Sequence, residues 1–348
     1  MMNGSAQCLA DEGARPLLRL EGVGFSHGNR EVLHGICLGV DKGSLTTLLG
    51  PSGSGKTTLL QIVAGHLKPA AGKVFLEGAD ATHLAPEARG LGLVHQHLAL
   101  FPHLTVERNV SFGLEVRGLP LARALEKARA TLELVALPAE TWGRTPDRLS
   151  GGQRQRVAIA RALAFGPRAL LLDEPFTALD RGLRQRLGAE LKRIQRETGV
   201  TTLLVTHDQE EALALSDTLV ALRDGRIVQT GPPAELYHRP LDGWLAGFLG
   251  EANLITSGRY LRAEKGETLL VRPEELVAGE QPDSGDYRLQ GPVRAVVFRG
   301  ADSLVTFEAD GLEWKIALPG PAALRAGEIM RAILPATAGW NVTRGCRP

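Results

Sequence analysis

The sequence predicts an α/β domain followed by a small all-β domain, and three observations carry that expectation. From residue 17 to about residue 237, short apolar runs alternate with longer segments of helical period, the rhythm of strands joined by crossover helices. Three of those runs, 44–49, 169–172 and 201–206, are apolar or β-branched enough to be strands buried on both faces, and each ends in a polar or glycine-rich segment. After about Arg239 the texture changes to Gly, Pro and short alternating pieces such as 293–298 and 304–307. The expected organisation is a flexible N-terminus at 1–16, an α/β domain at 17–240 and an all-β domain at 241–348. Between 97 and 165 the strand rhythm lapses and 122–135 reads as helix, so a helical subdomain is expected there.

Composition narrows the class further. With 348 residues, 43% hydrophobic and 23% charged, the chain is an ordinary globular protein, neither disordered nor fibrous. Its 40 Lys plus Arg balance 39 Asp plus Glu, so whole-surface attraction to nucleic acid or anionic lipid has no support. Cys8, Cys37 and Cys346 are scattered and odd in number, which argues against a disulfide framework and for reduced thiols. No apolar run is long enough to span a membrane, so a role at one is expected to be peripheral.

In open parallel sheets, ligands bind beyond the carboxyl ends of strands, so the segments after the three apolar runs should converge. Gly50-Pro51-Ser52-Gly53-Ser54-Gly55-Lys56-Thr57-Thr58 follows the first run and precedes a helical segment, matching a P-loop in motif and context. Its glycines let backbone N–H groups wrap phosphate oxygens, Lys56 is suited to the β- and γ-phosphates, and the Thr57 hydroxyl to a phosphate-bound magnesium. The second run stops at Asp173 and Glu174, one carboxylate for magnesium and one to polarise an attacking water. The third ends at Thr206-His207-Asp208, which brings an imidazole toward the same nucleotide. His95 and His97 have no third ligand in sight and read as loop residues.

Leu149-Ser150-Gly151-Gly152-Gln153 resembles the signature motif of ABC ATPases. Physically, Ser150 is a good N-cap, and the two glycines allow an anion close to a positive helix end. The ordered set of P-loop, Gln96, this signature, Asp173-Glu174, Ala178-Leu179-Asp180 and His207 is similar to that family throughout. The resemblance implies a P-loop NTPase cassette with ATP and Mg2+ bound between two cassettes of a homodimer. Ser150, Gly151, Gly152 and Gln153 of one would close on the nucleotide held by the other, and Asp180 would link the two composite sites. It implies that Gln96 contacts magnesium and water, and that Leu100, Phe101 and Pro102 are exposed to a membrane permease. The family's adenine-stacking aromatic falls at His27, with Phe25 expected on the opposite side of the strand.

Val271-Arg272-Pro273-Glu274 and the stretch 291–300 resemble the OB-like TOBE appendix of ABC importers for ferric iron, polyamines, inorganic oxyanions and some sugars. On Gly250-Glu251-Ala252-Asn253 and Phe101-Pro102-His103-Leu104-Thr105, the resemblance ranks ferric iron first and polyamines next. It implies an ATP-hydrolysing subunit on the cytoplasmic face of the membrane, served indirectly by a solute-binding protein. Two rivals are weighed: a soluble ABC ATPase of DNA repair or translation, disfavoured by the single cassette and absent heptads, and a sensor whose β-domain binds an anion.

Overall fold

A computed structural model describes residues 16–177, 179–256 and 268–342. The expected flexible N-terminus, Cys8, Cys346 and Ala178 lie outside the described residues. The chain divides into two compact units, Met1–Pro233 and Ala234–Pro348, and each is taken by itself.

The first unit opens with β1 (Leu18–His27) and β2 (Arg30–Val40), then β3 (Leu45–Leu49), α1 (Lys56–Ala64), β4 (Ala71–Leu76), β5 (Ala79–Asp80), α2 (Pro86–Arg89) and β6 (Leu91–Val94). Three helices follow, α3 (Val106–Val116), α4 (Leu121–Leu134) and α5 (Gly151–Leu163). The unit closes with β7 (Ala169–Asp173), α6 (Arg181–Thr198), β8 (Thr201–Thr206), α7 (Gln209–Leu215), β9 (Thr218–Arg223) and β10 (Arg226–Gly231). β1, β2, β4 and β5 form an antiparallel sheet in the order β2-β1-β4-β5, and the remaining strands form a six-stranded sheet ordered β10-β9-β3-β8-β7-β6.

Every residue of β3, β7 and β8 is buried, which explains why these strands read as continuous apolar runs rather than alternating ones. They are parallel neighbours with β8 in the middle, Leu49 pairing with Thr206 and Asp173 with Val205. Their carboxyl ends therefore stand side by side. Leu48, Leu171 and Leu203 face one core with α1, while Leu170, Leu172 and Leu204 face another with α3, α4 and α5. Cys37, in β2, is disulfide-bonded, against the expectation of reduced thiols; the spacing argument excludes only local Cys-x-x-Cys pairs.

The second unit contains α8 (Pro233–His238), α9 (Gly243–Leu249), β11 (Asn253–Ile255), β12 (Thr268–Val271), β13 (Val277–Ala278), β14 (Tyr287–Phe298), β15 (Asp302–Ala309), β16 (Leu312–Pro319), β17 (Ile329–Leu334) and β18 (Trp340–Val342). Two sheets result, β11-β12-β18 and β13-β17-β14-β15-β16. β14 pairs with β17 from Tyr287 to Pro292 and with β15 from Val293 to Phe298, so the changeover falls between Pro292 and Val293, close to Gly291. A Cβ on Gly291 would lie 1.6 Å from the Glu308 carbonyl oxygen, so glycine alone allows the close approach. Among the described residues the outer strands β13 and β16 do not pair with each other, and the sheet curls. Trp314, Phe307, Leu289 and Ala332 fill its core.

The unit begins ahead of its sheets because Arg272 gathers the helical segment. Its buried guanidinium donates to the carbonyls of Tyr237, Ala246, Gly250 and Glu251 and stacks 4.0 Å over the Tyr237 ring, whose hydroxyl reaches Glu274 at 2.8 Å.

Candidate nucleotide site

The loop between β3 and α1 is shaped by steric exclusion. A Cβ on Gly50 would stand 2.1 Å from the Leu222 carbonyl oxygen, and one on Gly55, at φ +100°, 2.7 Å from Leu33. Lys56, 5% exposed, curls back to donate to the carbonyls of Gly50 at 2.8 Å and Pro51 at 2.9 Å. Burial holds its ammonium below the ordinary lysine range, against the opposing pull of Glu174 and Asp173. Among the described residues the buried Ser54 hydroxyl has no hydrogen-bond partner. A cavity of about 530 Å³ opens over the loop, lined by His27, Arg30, Ser52, Lys56, Thr57 and Glu174 among others.

The acidic strand end meets this loop. Thr57 donates to the Asp173 carboxylate at 3.0 Å, and burial, with the neighbouring Glu174 charge, lifts the Asp173 carboxyl above the usual carboxylate range. Glu174 is in the left-handed region at φ +45°, where a residue with a Cβ carries strain on the order of 1–3 kcal/mol. Its Oε2 lies 3.1 Å from His207 Nδ1 and accepts from the Thr177 hydroxyl at 3.2 Å. The structure thus brings Lys56, Thr57, Asp173, Glu174 and His207 together, with His207 directed at Glu174.

His27 is exposed at the rim of the cavity, and its ring meets Phe25 edge to face at 4.8 Å. This corrects the expectation that Phe25 faces away, since alternate residues of a strand share a face. Gln96 is exposed just beyond β6, and the following Leu98 and Ala99 both have positive φ. Arg161 of α5 donates to both of their carbonyls, at 2.7 and 2.5 Å. Neither Arg161 nor Thr177 stands out in the sequence, because each contact spans a loop whose shape only the fold determines.

Ser150 caps α5 as expected. Its hydroxyl accepts from the Gln153 amide at 3.3 Å, while the Gln153 side chain accepts from the Ser150 amide at 2.9 Å, a reciprocal capping box. Asp180 caps α6, accepting from Leu183 N at 2.9 Å. Of the expected permease-facing residues, Pro102 is exposed and Phe101 half-buried, but Leu100 packs against the core and so departs from the expectation of exposure. The apolar surface beside them comes from α3 instead: the Phe101 ring lies 4.8 Å from that of exposed Phe112, with Val116 one turn further along, 72% exposed. Among the described residues, no helix is long and apolar enough to cross a membrane.

Comparison with known proteins agrees with this geometry. A family described as ABC transporter matches residues 33–177, and a TOBE domain matches 269–338. The chain is 45% identical over 284 residues to a sulfate/thiosulfate import ATP-binding protein of Gloeobacter violaceus, covering 81% of this chain and 82% of the relative. It is 43% identical over 331 residues to a spermidine/putrescine import ATP-binding protein of Acidothermus cellulolyticus, covering 84% and 86%. Among solved structures, a component of an ABC transporter complex from Clostridium perfringens matches with a TM-score of 0.60 and 28% identity, over 64% of this chain and 90% of that one. A dimeric ATP-binding cassette bound to ADP and Pi matches with a TM-score of 0.56 and 30% identity, over 62% and 98%.

Ferric iron, ranked first on the sequence, finds no support in these relatives. The residues that suggested it have structural work: Asn253 exchanges two hydrogen bonds with the Lys315 backbone, at 2.7 and 2.9 Å, and Phe101 N and O are both tied to Asn109. With both family models matched and relatives 45% and 43% identical covered over 82% and 86% of their length, the chain belongs to the ATP-binding subunits of ABC importers that carry a TOBE domain, which hydrolyse ATP to drive transport.

Proposed function

We propose that the chain energises uptake of a small charged solute, a sulfate-class oxyanion or a polyamine, as one of two identical cassettes on the cytoplasmic face of a membrane permease. The observation that carries the chemical part is the convergence of Glu174 and His207 at 3.1 Å beside the Thr57–Asp173 pair. The loop fits a nucleoside triphosphate: glycines stand where a Cβ would collide, Lys56 has one N–H beyond its two carbonyl partners, and among the described residues Ser54 keeps an unpaired hydroxyl.

In this reading Lys56 and the loop amides bind the phosphates, with His27 against the adenine. Glu174 accepts the proton of the attacking water as the bond from the γ-phosphorus to its bridging oxygen breaks, giving ADP and phosphate, and His207 orients Glu174. The hydroxyl and carboxylate oxygens of Thr57 and Asp173, with the Gln96 amide oxygen, suit magnesium, which when bound supplies charge neutralisation at the phosphates. Ser150, Gly151, Gly152 and Gln153 of a second copy complete the site, with Asp180 at the twofold interface. The dimeric solved cassette supports that pairing. Phe101, Pro102 and Phe112 form the surface offered to the permease, and a solute-binding protein delivers the cargo on the other side.

The test is reconstitution of the full chain with its permease in vesicles, followed by uptake of labelled sulfate and labelled spermidine. ATP-dependent accumulation of one of them, abolished by Glu174→Gln, is the expected result. Accumulation of neither overturns the cargo assignment, and accumulation unaffected by Glu174→Gln overturns the catalytic one.

A further inference from the structure

Arg184, on the first turn of α6, has no place in the roles given so far. We propose that it is a positioning residue that joins the loop carrying His207 to the loop carrying Asp180, so that the water-activating end and the signature end of one cassette move together. The proposal rests on the catalytic reading of Glu174 and His207.

The guanidinium has three destinations. One nitrogen donates to the carboxylate of Asp208, the residue next to His207, and Nε lies 3.5 Å from Glu211 Oε1. The other terminal nitrogen donates to the Leu179 carbonyl at 3.2 Å, one residue before Asp180. Asp208 is itself held, because its side chain caps α7 by accepting from Glu211 N at 3.0 Å and its amide donates to the Thr206 hydroxyl, also at 3.0 Å. A shift of Arg184 therefore acts directly on the backbone beside His207.

At its other end the contact continues into the signature segment. A Cβ placed on Gly151 would stand 3.1 Å from Leu179 Cδ2, and one on Gly152 3.1 Å from Leu183 Cδ1. Leu179 and the first turn of α6 thus lie directly on the start of α5. His207, Asp208, Arg184, Leu179 and Gly151 form one contiguous chain of bonded or touching residues, the physical requirement for mechanical coupling. Simple stapling of α6 to α7 does not need Arg184, since Arg181 and Glu210 already join the two helices at 2.7 Å.

The test compares ATP hydrolysis by the full chain and its variants Arg184→Met, Arg184→Lys, Asp208→Asn, the double variant Arg184→Met/Asp208→Asn, Arg181→Met and Glu174→Gln. Arg184→Met is expected to lower kcat by roughly ten- to a hundredfold, the scale of a misplaced catalytic group, while KM for ATP moves less than about twofold. Asp208→Asn should do the same, the double variant should be no worse than the poorer single one, and Arg184→Lys should recover part of the loss. Arg181→Met should leave both constants within about twofold. Multiplying effects in the double variant overturn the proposal, as does a fall in melting temperature with kcat unchanged. If Arg184→Met does not fold, the comparison of Arg184→Lys with Asp208→Asn decides the same point. Wild-type turnover in Glu174→Gln would overturn the catalytic reading and this inference with it, whereas a dead Glu174→Gln with multiplying Arg184 and Asp208 effects would overturn this inference alone.

Discussion

Lys56 in the first unit and Arg272 in the second are both buried cations, 5% and 1% exposed, yet they are satisfied differently. Arg272 spends its donors on four carbonyls from two helices and the segment after them, and it stacks on Tyr237, so its partners are all protein. Among the described residues Lys56 donates to two carbonyls, both of its own loop, which leaves one N–H of the ammonium beyond them, and a cavity lies overhead. Both cations are held below their ordinary pKa by burial, so desolvation alone does not separate a ligand site from a structural clamp. The partners do: the acceptors of Arg272 come from segments distant in sequence and tie the fold together, whereas those of Lys56 lie in its own loop.

Substitution should separate the two most sharply. Arg272→Met leaves four carbonyls without their cation and is expected to cost the fold about 3–5 kcal/mol in a denaturant titration. Lysine should not rescue it, because a single ammonium cannot match a planar fork. A loss under about 1 kcal/mol would break the comparison.

Lys56→Ala is expected to leave the nucleotide-free protein at least as stable, since a desolvated charge is removed. It should weaken ATP binding by about 1.5–3 kcal/mol, roughly ten- to a hundredfold, measured by calorimetry. Destabilisation comparable to that of Arg272→Met would show Lys56 to be structural.

Ser150→Ala removes a cap and should cost about 1 kcal/mol, read as a lowered melting temperature. The smallest effect concerns Asp173. Its carboxyl is raised in the folded state, so the folded state binds the proton more tightly than the unfolded one. The stability this gives is complete below the ordinary carboxylate pKa and is lost as pH rises through the raised value. Asp173→Asn should therefore flatten the decline of stability with pH across that acid window, and an unchanged slope would contradict the assigned direction.

What could be read in the sequence was what local chemistry determines. β3, β7 and β8 announced themselves because each is buried on both faces, and the Ser150 N-cap because a cap depends only on its own helix; the reciprocal Gln153 bond was seen only in the structure. The curl at Gly291, the Arg272 clamp and the Arg161 hold on Leu98 and Ala99 depend on segments 17 or more residues apart, which no periodicity reveals. Leu100 shows the same limit from the other side: an apolar loop residue looks alike in sequence whether it faces a partner or a core. The cargo was beyond reach for a different reason, because the residues taken as its markers hold the chain together.

The most direct test of the account is the mass of the Glu174→Gln protein with and without ATP, followed alongside its turnover. A twofold rise in mass on adding ATP, with hydrolysis at least about a hundredfold below wild type, is the predicted result, since loss of a general base costs about 10²–10⁴. A protein that stays monomeric with ATP bound, or hydrolyses at the wild-type rate, would contradict it.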